Sequence, residues 1–176
     1  MTNFTRNAIK AAFWKLLSEK SYAKITVKDV VTACGINRNT FYYHYDNIPA
    51  VADECVRGRL FEIVRRNVDD SFEKCMIGIC RDLLENREQI LNIYHSTERV
   101  RLENFVITMA GFATERYAES VLPDAQSEEW KYRTIYVKNA LFGECIGWLN
   151  NSMHDDYEVL VKEFCRITEE ILRPVP

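Results

Sequence analysis

Apolar residues recur at helical intervals from near the start of the chain. Ile9, Phe13, Leu16 and Leu17 stand at i, i+4, i+7 and i+8, the stripe of an amphipathic helix over about residues 5 to 19. SYAKI interrupts it. Thr26 then opens TVKD, in which the hydroxyl caps a helix and Asp29 answers from the third helical position, with Val27, Val30 and Val31 inward. That short helix ends at Gly35, whose tolerance of positive φ suits the residue just past a helix C-terminus. Asn37 is placed to cap a third helix, RNTFYYHY. Either Asp46 or Asn47 can cap a fourth, from about 48 to 67, with Pro49 in a first turn that needs no N–H there. Its apolar positions are Val51, Cys55, Leu60, Ile63 and Val64, and Arg57, Arg59, Arg65 and Arg66 are expected in solvent. Further helices are predicted over roughly 71–85, 87–95, 97–121, 127–150 and 156–172. Breaks fall at His95-Ser96-Thr97 and at VLPDAQS, where Pro123 ends one helix and Ser127 caps the next.

A short helix, a glycine turn and a second short helix, preceded by a longer packing helix, have the form of a DNA-binding helix-turn-helix. Phase sorts the aromatic run of the third helix. Ile36, Phe41 and Tyr45 share the inward face; Arg38, Asn39, Tyr42 and Tyr43 point outward, with Thr40 and His44 at the margins. The outward groups are hydrogen-bonding side chains suited to phosphates and base edges.

Composition narrows the class. Among 176 residues, 47% are hydrophobic, enough for a substantial core, and only four prolines and six glycines interrupt the pattern, which disfavours an all-β chain with many tight turns. The prediction is an all-α chain of about nine helices: a three-helix head, a long fourth helix and a C-terminal helical bundle. No apolar run approaches a membrane span and the N-terminus lacks the form of a secretory signal, so a cytoplasmic location is expected. The first 50 residues hold seven Lys/Arg against three acids, a balance of +4, which leaves −7 on the remainder of a chain whose total is −3. A polyanion would therefore bind at the head. Six cysteines, at 34, 55, 75, 80, 145 and 165, form no CxxC pair and stand at no zinc-ligand spacing with the three histidines. They are read as small apolar residues, and no metal or cofactor is expected. A catalytic reading finds no Gly-rich phosphate loop, no G-x-S-x-G and no HExxH.

The segment ITVKDVVTACGINRNTFYYHYDN resembles the helix-turn-helix of the TetR family of bacterial transcriptional regulators. Gly35, Ile36, Arg38, Thr40, Tyr42, His44 and Tyr45 stand at the positions of its G-V-S-R-x-T-x-Y-x-H-F signature, with Asn37 for Ser and Tyr45 for Phe. Where the family usually has a phosphate-supporting lysine this chain has Ile48, and it resembles a variant group with an FYYHF-D-I type sequence, the dihydroxyacetone-kinase operon regulators. The resemblance implies a regulator, expected to be a repressor, with residues 1–47 as DNA-binding domain, 48–67 as linking helix and 68–176 as regulatory and dimerisation domain. It also implies that the third helix enters the major groove while the start of the second meets the DNA backbone.

Chemistry assigns the roles. Thr26 and Lys28 are expected on phosphates, aided by the helix dipole; Asn37, Arg38 and Asn39 on or beside base edges, since arginine suits guanine and asparagine adenine. Asn37 has the competing reading of a simple helix cap. Thr40 would touch a thymine methyl or a phosphate, and Tyr42, Tyr43 and His44 would brace flanking phosphates. A dimer reading a pseudo-palindrome is expected. Its interface is read on Trp130, Val137, Leu141, Gly143, Cys145, Gly147 and Trp148 of the 127–150 helix, with Leu160, Phe164 and Ile171 of the last; the competing reading is that both stripes close the monomer core. Along the last helix Tyr157, Leu160, Phe164, Ile167 or Thr168, and Ile171 share one stripe. An effector, a small molecule or a protein co-regulator, would act through the middle helices, with Tyr94, His95, Phe105, Met109 and Phe112 as candidate pocket residues. The alternatives are an all-α protein-interaction module and a co-regulator-dependent activator without a small-molecule effector.

Overall fold

The computed structural model describes residues 2–67, 71–121 and 128–172, and every regular element among them is helical. In chain order these are α1 (Thr2–Glu19), a 3-10 turn (Tyr22–Lys24), α2 (Val27–Cys34), α3 (Arg38–His44), α4 (Ile48–Arg66), α5 (Phe72–Leu84), α6 (Arg87–Tyr94), α7 (Arg99–Val121), α8 (Glu128–Asn150) and α9 (Tyr157–Leu172). The fold is all-α, with boundaries close to those the apolar pattern predicts; α1 alone begins a turn earlier. The expected stop at Pro123 and cap at Ser127 lie outside the described residues.

Local chemistry sets the ends. Thr26 is extended (φ −114°, ψ 161°), its Oγ1 accepts the Asp29 N–H at 3.2 Å, and the Asp29 carboxylate accepts the Thr26 N–H at 2.8 Å. This reciprocal box satisfies two of the donors a helix start leaves open, worth about 1 kcal/mol. Gly35 stops α2 in the left-handed region (φ 69°), and the Ile36 N–H reaches back to the Val31 carbonyl at 3.1 Å. Asn47, not Asp46, caps α4, its Oδ1 accepting from the Ala50 N–H at 2.9 Å.

The chain folds as two compact units, Met1–Ile63 with Asn86–Leu102, and Val64–Glu85 with Glu103–Pro176. In the first unit α1 packs on both α2 and α6, so a segment the sequence pattern grouped with the C-terminal helices belongs physically with the head. Ile9, Phe13, Val30, Phe41, Val51 and Tyr94 are fully enclosed there. The Tyr22 ring meets Phe13 edge-on with centroids 6.4 Å apart. Arg59 is exposed, as expected, yet lays its guanidinium 5.6 Å from the centre of the buried Trp14 ring, covering apolar surface with a charged tip left in water.

In the second unit α9 packs on α5 and α8, around Met76, Ala110, Leu141, Val161 and Cys165. Phe72 stacks at 4.6 Å from Tyr117 and 6.4 Å from Phe164. On α9 the enclosed stripe is Val161, Cys165, Thr168 and Leu172, whereas Ile167 is 46% exposed. Tyr157, Leu160, Phe164 and Ile171 flank that stripe, half-buried. Asn67 donates through Nδ2 to the buried Asp82 carboxylate at 2.8 Å, and a Cβ at Gly78 would collide with the Asn67 side chain. Glycine at 78 therefore keeps room for that bond.

All six cysteines are free thiols. Burial pushes Cys55 and Cys80 up to about 12, and Cys145 and Cys165 up to about 11, which suppresses the thiolate that nucleophilic or metal chemistry needs. No described helix is long and apolar enough to cross a membrane.

Candidate nucleic-acid interface

The side chains singled out in the head lie at the start of α2 and along α3, with Thr26 and Asn37 as the two N-caps. Phe41 is wholly enclosed and Tyr45 nearly so, while Ile36 is half-buried. Arg38, Asn39, Tyr42 and Tyr43 are exposed, and Thr40 and His44 are half-buried. Inward and outward faces thus divide as helical phase predicts. The exposed rings are braced by neighbours: Tyr42 stands edge-on to Phe41 at 5.5 Å, and Tyr43 edge-on to His44 at 5.0 Å.

Hydrogen bonding assigns some polar groups in advance. Asn37 Oδ1 accepts from the Thr40 N–H at 2.8 Å and from the Thr40 hydroxyl at 3.1 Å. Its carbonyl is thus committed to capping α3, and its amide N–H groups are what it has to offer a ligand. The Thr26 hydroxyl donates to Asp29 Oδ2 at 2.7 Å, so its one proton is already directed within the chain. Asp29 also takes the Lys20 ammonium at 2.8 Å. Lys20, then the Thr26 hydroxyl and N–H, hold the Asp29 carboxyl well below the usual carboxylate range.

Most cations of the head are neutralised by a neighbour. Arg6 and Lys10 share Glu54, at 2.6 and 3.2 Å, and Arg6 also lies 5.3 Å from the Tyr45 ring centre. Burial alone would raise the Glu54 carboxyl, but Lys10 and Arg6 together bring it below its ordinary value. Lys15 pairs with Glu19 and Lys20 with Asp29. Among the described residues of the first fifty, three exposed cations make no such pair: Lys24 at the end of the 3-10 turn, Lys28 in the first turn of α2, and Arg38 at the start of α3. Lys24 is an addition to the set expected from sequence. Its type and exposure were legible, but its lack of an internal partner is a tertiary fact that only the structure supplies.

The other expected sites fall as follows. Tyr94 is enclosed in the first unit, with the Arg99 guanidinium 4.3 Å from its ring centre, and His95 is exposed beside it. Phe105 and Met109 are half-buried in the second unit, where Phe112 is 63% exposed. On α8, Val137, Leu141 and Trp148 are enclosed by the chain itself, Trp130 and Cys145 are half-buried, and Gly143 and Gly147 face open space. Tyr132 and Tyr136, absent from the interface expected on this helix, expose 68% and 66% of their surface.

Residues 9–55 match the family model described as bacterial regulatory proteins, tetR family. Residues 70–170 match that of a transcriptional regulator C-terminal region of the same kind. An uncharacterised HTH-type transcriptional regulator of Bacillus subtilis (strain 168), YxbF, is 38% identical over 61 residues, 34% of this chain and 16% of that relative's length. Among solved structures, the dihydroxyacetone kinase operon activator DhaS superposes with a TM-score of 0.76 at 18% identity, over 96% of each chain. A tetR-family transcriptional regulator from Streptomyces coelicolor gives 0.72 at 12% identity, over 94% of this chain and 81% of its own. At such identities the superpositions speak for the fold, while the family models span both parts of the chain. The chain belongs to the tetR family of bacterial transcriptional regulators.

Proposed function

We propose that the chain is a homodimeric repressor that binds a pseudo-palindromic duplex site by placing α3 in the major groove and the start of α2 on the backbone. The observation that carries the DNA-binding role of the head is charge allocation. Acids of the same fold neutralise Arg6, Lys10, Lys15 and Lys20. Lys24, Lys28 and Arg38, on three consecutive elements of the head, are exposed and pair with no acid among the described residues. Lys24 and Lys28 take phosphates; Arg38 and Asn39 read base edges, with the Asn37 amide beside them; Thr40 touches a thymine methyl or a phosphate. Thr26 holds the α2 start in shape, and its N-terminal dipole favours the phosphate. Tyr42, Tyr43 and His44 brace the flanking backbone. Such a protein works by occupancy and calls for no catalysis, cofactor or metal.

The half-site reader is small, so a dimer is required for useful affinity. Its interface is formed by α8 and α9: the exposed Tyr132 and Tyr136 and the open Gly143 and Gly147 meet the partner, joined by the half-buried Trp130, Cys145, Leu160, Phe164 and Ile171. Val137, Leu141 and Trp148 back that surface from inside. In the second unit the buried Thr114 hydroxyl has no hydrogen-bond partner among the described residues, a cost of about 1–3 kcal/mol that a polar effector reaching it would offset. Phe105, Met109 and Phe112 share α7 with it, whereas Tyr94 and His95 belong to the first unit. A co-regulator-dependent activator is the second reading, favoured by the structural likeness to an operon activator.

Salt-titrated binding to duplex DNA tests the assignment. Lys24→Met and Lys28→Met each weaken all sequences alike and lower the slope of log affinity against log salt by about 0.9. Tyr42→Phe weakens binding with the slope unchanged, because a neutral hydroxyl displaces no counterion. Arg38→Ala costs about 1–3 kcal/mol and relaxes one base position. Absence of salt-dependent binding to duplex DNA would instead indicate a protein-interaction module.

A further inference from the structure

We infer that Asn92 of α6 is a positioning residue for DNA binding, acting on the start of α2 through Lys20 and Asp29; this rests on the reading of the head as a DNA-binding surface. Asn92 grips the turn after α1 with its whole amide. Nδ2 donates to the Leu17 carbonyl at 2.7 Å and the Lys20 carbonyl at 2.8 Å, and Oδ1 accepts the Tyr22 N–H at 2.8 Å. These are backbone groups that a helix end leaves open, supplied here by a residue 70 or more positions away in sequence.

The same Lys20 whose carbonyl is held from α6 reaches forward with its ammonium to Asp29 Oδ2 at 2.8 Å. That oxygen also accepts the Thr26 N–H and hydroxyl, at 2.8 and 2.7 Å, so it fixes the first turn of α2, in which Lys28 stands. The path from α6 to the proposed phosphate-facing helix start thus runs through short polar contacts at either end of Lys20, joined by that residue's own side chain. A second anchor keeps the gripped turn in place: the Tyr22 hydroxyl donates to the buried Glu98 at 3.1 Å, and Arg101 approaches Glu98 at 3.2 Å and Asp53 at 3.7 Å. Only a primary amide meets the demand at 92. A carboxylate would set a second oxygen against two carbonyls, and an apolar side chain would leave three backbone groups unmet.

The test uses the full chain and the duplex that the wild-type protein recovers from random DNA. Asn92→Gln keeps the amide but displaces it by a methylene; it is expected to weaken binding about tenfold. Amide exchange at Asp29 and Val30 in the DNA-free protein should quicken with it. Ile93→Val, buried on the same helix, is the control for lost stability alone and leaves both readouts at wild-type values. In a double-mutant cycle Asn92→Gln and Asp29→Asn are non-additive, because both act through Lys20, whereas independent sites add. Additive effects, or wild-type affinity and wild-type exchange at Asp29 in Asn92→Gln, would overturn the inference. If the wild-type chain bound no duplex, the reading of function would fall, and exchange at Asp29 alone would decide the relay.

Discussion

Gly35 shows how much a single position can specify. Its φ of 69° lies where a Cβ is disfavoured, yet a Cβ built there meets nothing within 4 Å. The cost of Gly35→Ala is therefore backbone strain alone, about 1–2 kcal/mol. Gly35→Asn costs less, because asparagine tolerates the left-handed region. Urea unfolding should rank wild type above Asn above Ala; equal losses would point to a packing role. This residue, the caps at Thr26 and Asn37, and the inward set of Phe41 and Tyr45 were legible because each follows from local geometry. Ser152 and Met153 were not: both adopt positive φ (53° and 58°) in the α8–α9 turn, where the buried Met153 donates its N–H to the Trp148 carbonyl at 2.7 Å. Neither residue type announces that conformation, which packing imposes.

Among the helices, the start of α2 carries a pH dependence. Asp29 ionises well below the usual carboxylate range in the folded chain, chiefly through Lys20 and then Thr26. Its stabilisation is complete above the ordinary aspartate value of about 3.9 and is lost as pH falls from there toward the folded value. Thermal melts between about pH 6 and pH 3 should show the wild type losing stability at the acid end, with a shallower fall in Asp29→Asn. A parallel fall in both would deny the ion pair its role. Helix spans were readable from periodicity throughout, but the face of α9 was not settled. Ile167 and Thr168 are consecutive, about 100° apart around the helix, and the register that buries Val161, Cys165 and Leu172 selects the less apolar of the two.

For the molecule as a whole, the split of the chain escapes any linear reading. Residues 86–102 join the head because Asn86, Asn92 and Glu98 supply partners to Trp14, Tyr22 and the end of α1. Contacts between residues so far apart in the chain leave no mark on local pattern. The proposed dimer is likewise a property of assembly. Tyr132→Glu combined with Tyr136→Glu places two carboxylates on the proposed interface and should give a monomer by sedimentation, while helix content changes little because both side chains are exposed on the single chain. An unchanged mass would move the interface elsewhere.

The central claim, that this tetR-family chain reads duplex DNA as a symmetric dimer through α3, is met most directly by selecting bound sites from random duplex DNA with the purified protein while measuring the mass of the bound species. The account predicts enrichment of one pseudo-palindrome bound by two chains, with Arg38→Ala relaxing the same position in each half-site. Enrichment of no symmetric site, or binding by a single chain, would contradict it.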